Sequence, residues 1–89
     1  MARFEVSSDR MGNYSAFSGS SDPLFELGLM HSIGKDAPVN LIEAHKWFNL
    51  AALRGNSEAK SYRLEIATEM SKREIAEAQR LAREWLAQN

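Results

Sequence analysis

From residue 22 onward, apolar positions recur at helical spacing between short polar breaks. Each break carries the chemistry that stops or starts a helix. Asp22 followed by Pro23 is an N-cap with proline at the first helical position, and Gly34 lies just past the stretch it opens. A first helix is therefore expected from Pro23 to about Ser32. Pro38 interrupts the next loop, and Asn40 with Glu43 three residues on comes close to a capping box. The helix that follows carries Leu41, Ala44, Phe48, Ala51 and Ala52 on one face and should close at Gly55. Asn56 opens a third helix whose apolar face is Ala59, Tyr62, Ile66 and Met70, with Leu64 and Ala67 beside it. Ser71 and Glu74 form a capping box for a fourth, with Met70 and Ile75 placed as a hydrophobic staple. That helix repeats Ile75, Ala78, Leu81, Ala82, Trp85 and Leu86. Four helices, short connections and no strand pattern predict an all-α antiparallel array.

The stop and restart in WFNLAALRGN, residues 47–56, belongs to an internal repeat. EAHKWFNLAALRG from Glu43 aligns with EAQRLAREWLAQN from Glu77 at an offset of 34. Phe25-Glu26-Leu27 aligns with Tyr62-Arg63-Leu64 at an offset of 37, so the second copy is expected to have a shorter loop between its helices. Two helices per 34–37 residues is the period of a helical solenoid of the tetratricopeptide kind.

The stretch LFELGLMHSIGKDAPVNLIEAHKWFNLAALRGN, from Leu24 to Asn56, resembles a Sel-one-like repeat, a relative of the tetratricopeptide repeat. The resemblance rests on Leu27-Gly28 with Met30, Gly34 and Pro38 in the loop, Ala44, Trp47-Phe48, Ala51-Ala52, and Gly55-Asn56. It implies tetratricopeptide-like α-α hairpins in a short α-solenoid, and an adaptor or scaffold role. The layout also resembles short one-repeat members of that family in bacteria. Three zones follow: an N-terminal tail (1–21), flexible or docked; a first repeat (22–55); and a degenerate second repeat with a capping C-terminal helix (56–89). In the second copy Glu65 stands where the 37-residue alignment puts the glycine, and the glycine and proline of the loop are gone.

The expected repeat core is Leu27, Gly28, Ala44, Trp47, Phe48, Ala51, Ala52, Gly55, Leu81 and Trp85. Gly28 would let two helices approach, with Ala44, Ala51 and Ala52 doing the same from the facing helix, while Trp47 and Phe48 fill the space between hairpins. A second stripe, Phe25, Leu29 and Ile33 with Tyr62 and Ile66, can either pack between repeats or line an open groove. In the second case Glu26, Lys60 and Arg63 would set register around a partner segment. The thin core makes a cover of some kind an expectation: the fourth helix, the tail, or a second copy in a homodimer.

Composition narrows the function classes. The 89-residue chain is 44% hydrophobic and 26% charged, with net charge -1. The balance holds by zone, so no basic excess favours nucleic acid. The residues a nucleic-acid-linked regulator would use are Lys60, Arg63, Lys72, Arg73 and Arg80, but Glu74, Glu77 and Glu84 are interleaved with the last three. The absence of cysteine removes disulfides, thiolate metal sites and a Cys nucleophile. The opening MARFEVSSDR has no apolar run, and no stretch is long enough to span a membrane, so a cytoplasmic location is expected. No catalytic or metal-binding spacing occurs. His31, Lys35 and Asp36 are what a small hydrolytic enzyme would have to use, and His45 is expected on the polar side of its helix. The resulting expectation is a protein–protein interaction module, not an enzyme, with no cofactor and no metal.

Overall fold

The computed structural model describes residues 22–36 and 38–89. The tail expected to be flexible or docked, with its Phe4, Val6, Met11, Tyr14 and Phe17, lies outside the described residues. Four helices form: α1 (Pro23–Ile33), α2 (Leu41–Leu53), α3 (Ser57–Ala67) and α4 (Lys72–Gln88). Among the described residues no strand is present, and the fold is all-α.

Each helix starts where its cap predicts. The Asp22 carboxylate accepts from the backbone N–H of Leu24 and Phe25 at 3.1 and 3.2 Å. Asn40 accepts from Glu43 N at 3.1 Å, and Asn56 from Ala59 N at 2.9 Å. Ser71 and Glu74 make the reciprocal capping box. These bonds satisfy amides that have no partner within the helix. Asn40 shows only half of the box, because Glu43 turns to Lys46 at 3.1 Å. Gly34 and Gly55 take positive φ, 77° and 99°, and end α1 and α2 as left-handed closures. At the end of α3 there is no glycine. That helix unwinds through three successive i to i−3 bonds, from Thr68, Glu69 and Met70, directly into the Ser71 cap.

Helix α2 is the centre of the molecule. It packs extensively against α1, α3 and α4, and no other pair of these helices is in extended contact. The closest crossing is between α1 and α2. A Cβ built on Gly28 would lie 2.5 Å from two atoms of the Phe48 ring. Gly28 is thus needed for close approach, as expected, but the group it admits is an aromatic ring and not an alanine face. Phe48 is fully buried, with Phe25, Leu50, Ala44, Ala51 and Ala59. Helix α4 reaches α2 through the buried Ala78 and Ala82, and through an edge-on contact of Trp85 with Trp47 at 5.9 Å.

The spacing of equivalent positions needs one correction. The caps Asp22 and Asn56 are 34 residues apart, and α1 and α3 have the same length, 11 residues. At that interval the buried Phe25 corresponds to Ala59, and Gly28 to Tyr62. The 37-residue alignment of Phe25 with Tyr62, and of Gly28 with Glu65, is therefore not the one that caps and burial define. The shorter second loop arises because α4 is longer, 17 residues against 13 for α2, and starts sooner.

Candidate functional site

The stripe read as a groove divides in two. Phe25 is 0% exposed. Its ring lies 5.6 Å from Phe48 and 5.5 Å from Tyr62, and Phe48 and Tyr62 are 5.5 Å apart. Three rings from α1, α2 and α3 thus form one cluster at tilted and edge-on angles, the arrangement favoured by aromatic quadrupoles. Phe25 is core and has no surface to offer a partner. Leu29, Tyr62 and Ile66 are half-buried and pack against the core from its edge. Ile33, the last member, is 54% exposed.

The polar rim also separates. Lys60 is exposed and Glu26 is half-buried. Arg63 turns inward: its Nη1 donates to Asn49 Oδ1 on α2 at 2.6 Å. It belongs to the contact between α2 and α3 more than to a rim. Of the expected repeat core, Gly28, Ala44, Phe48 and Ala51 are buried. Leu27, Trp47, Ala52, Leu81 and Trp85 are half-buried, and Gly55 is exposed. Leu64, read as flanking the apolar face of α3, is 58% exposed.

His45 is a clear departure from the sequence reading. It is not on a polar side; it is 3% exposed. Its Nδ1 is buried without a hydrogen-bond partner. Burial, with Arg63 adding to it, lowers its pKa below the ordinary imidazole value. The reason is the position of α2. A helix covered on three sides has no polar side to put a histidine on. Leu50, 1% exposed, was passed over for the same reason. The signal that could have found both is the low charge of the whole segment LIEAHKWFNLAAL, whose Lys46 folds its stem over Trp47 with Nζ 4.0 Å from the ring centre.

Val39, which the periodicity did not single out, is exposed close in sequence to the stripe member Ile33. Asn40 N donates to His31 O at 2.9 Å, which ties the start of α2 to the end of α1. Ile33 and Val39 flank that closure, 54% and 58% exposed. Leu29, one turn earlier on α1, continues the edge toward the core. No family model, curated protein or solved structure matches the chain.

The other candidate chemistry is dispersed. His31 is half-buried with an unpartnered Nδ1, whereas Lys35 and Asp36 are exposed. Arg80 donates to Glu77 and to Glu84, so the charged face of α4 is internally paired. The Glu77 pKa falls and the Arg80 pKa rises, first through their shared hydrogen bond. Among the described residues no three acidic or histidine side chains are grouped to hold a metal, and no helix is long and apolar enough to cross a membrane.

Proposed function

We propose that this chain is a helical-repeat interaction module of the Sel-one-like, tetratricopeptide-related kind, and that it binds a segment of another protein on the edge formed by Leu29, Ile33 and Val39. The observation that carries this reading is the pair of large aliphatic side chains, Ile33 and Val39, more than half exposed on either side of one closed loop. Water-exposed aliphatic surface grouped in this way favours burial by a partner, at about 25 cal/mol per Å² covered. The equal lengths of α1 and α3 and their caps 34 residues apart support the repeat reading. Phe25 and Tyr62 then serve as the floor beneath the edge, not as anchors. A nucleic-acid role is less favoured, because Arg80 is held by two glutamates and Arg63 by Asn49.

A photo-crosslinking residue at Ile33 of the full chain tests this, with one at the exposed Arg83 as control. The expected result is an adduct with a distinct protein from Ile33 and not from Arg83. The same purified protein should lose at least about tenfold in affinity for an Ile33→Asp, Val39→Asp chain that melts normally, since two buried aliphatics contribute more than 1.4 kcal/mol. An adduct only with a second copy, or only within the chain, assigns the edge to self-assembly or to the tail and overturns the reading.

A further inference from the structure

His45 sits on the side of α2 that meets α3. Asn49, one helical turn along on the same side, accepts the hydrogen bond of Arg63. The guanidinium is thereby fixed across from a ring that is 3% exposed and whose Nδ1 bonds to nothing. We propose that the α2–α3 contact is an acid-released latch: protonation of His45 loosens α3 from α2, while α1 stays packed on α2 through Gly28 and Phe48.

The charges around the ring leave a proton uncompensated. From α3 the facing group is Arg63, which is itself cationic. On α1 the titratable groups are the half-buried His31 and Glu26; His31 Nδ1 has no hydrogen-bond partner and no ion pair joins Glu26 to His45. Helix α4 meets α2 through Ala78 and Ala82, and its Glu77 and Glu84 are bonded to Arg80 at the surface. On α2 itself, Glu43 is paired with Lys46. Among the described residues no carboxylate forms an ion pair with His45. A protonated ring would need an acceptor for each N–H and would stand beside a fixed guanidinium, so water must enter. The α2–α3 contact yields first, because Ala59 is the one fully buried side chain α3 contributes and the rest of its contact is half-buried.

Burial and Arg63 both lower the His45 pKa from its usual value of about 6.5. A histidine lowered on folding stabilises the folded state fully above that value. The stabilisation is lost as pH falls below about 6.5 toward the folded pKa, by up to tenfold in the opening constant per pH unit for one proton.

The test is an NMR titration of the full chain from about pH 7.5 to 5, following the imidazoles and the backbone amides. The expected result is that α3 amides shift or lose protection together with His45, while α1 amides near Gly28 stay protected. His45→Gln should abolish the α3 transition in this range, and His31→Gln should leave it in place. Should His45→Gln fail to fold, Arg63→Gln decides: removing the like charge brings the folded His45 pKa back toward 6.5, so the acid-induced loss of α3 protection must shrink. The proposal is overturned by α3 amides that do not respond, by a transition that survives His45→Gln or disappears in His31→Gln, or by an acid-induced α3 loss that Arg63→Gln leaves undiminished.

Discussion

Gly28 and Phe48 make the tightest crossing of the first helix pair; at the same 34-residue interval the second pair has Tyr62 and Ala82. Small and large have changed places. In the first pair the glycine on α1 admits a ring from α2, and the two helices close on each other. In the second pair the large residue is on α3. Tyr62 packs on Phe25 and Phe48, and α4 reaches α2 through Ala82 and the Trp85–Trp47 contact. The first pair is a unit with its own interlock. The second is two helices that each lean on α2. The two helix pairs thus divide the labour unequally, with α2 as the shared support.

The largest effect that sharpens this contrast is Phe48→Ala. Phe48 is fully buried and touches both other rings of the cluster. Its loss should cost about 3–5 kcal/mol, which is on the order of the whole stability of a domain this small. Helical circular dichroism should fall across the chain at 25 °C. Tyr62→Ala, half-buried at the edge, should cost about 1–3 kcal/mol and leave the α1–α2 pair folded. Equal losses from the two changes would mean that the two pairs are not unequal after all.

The next effect is Gly28→Ala. The added methyl would lie 2.5 Å from the Phe48 ring, which is buried on all sides and has little room to retreat. Overpacking costs about 1–3 kcal/mol, against a helix-propensity gain of at most about 1 kcal/mol. Packing therefore wins, and the net loss should be about 1–2 kcal/mol by denaturant titration. Adding Phe48→Leu should recover part of it, since the two changes act on one contact. A Gly28→Ala chain more stable than the parent would place the helix crossing elsewhere.

These effects separate what is legible in the chain from what is not. Asp22, Asn40, Asn56 and Ser71 are readable because a cap bonds amides only two or three residues away. Gly28 is readable through the resemblance, whose pattern puts Leu-Gly at that point of the first helix. The exposure of Phe25 and His45 is not readable, because it depends on how many helices surround α2, and no local pattern counts them. The offset of 37 failed for a related reason. It matched one aromatic to another, whereas the fold set an alanine opposite Phe25 and an aromatic opposite Gly28. Size can be exchanged between facing positions as long as the sum fills the space, so residue type misleads where cap position does not. Ile33 was legible on the helical stripe with Leu29, whereas Val39 escaped because a loop residue has no periodicity to read.

The smallest effect asks whether the two pairs are joined by more than α2 and the Phe25–Tyr62 ring contact. Asn56 Nδ2 donates to Asp22 Oδ2 at 2.9 Å, while Asn56 Oδ1 caps α3 and Asp22 Oδ1 caps α1. Each side chain thus uses one atom for its own helix and the other for its counterpart. Asp22→Ala removes a cap and the link and should cost about 1–2 kcal/mol; Asn56→Ala should cost about 1 kcal/mol. If the link joins the pairs, the double variant should lose less than the two single losses together, by about 0.5–1 kcal/mol. A strictly additive result would show that each cap serves only its own helix. The pairs would then meet only at α2 and at the Phe25–Tyr62 contact, and α3 would be the easier helix to release.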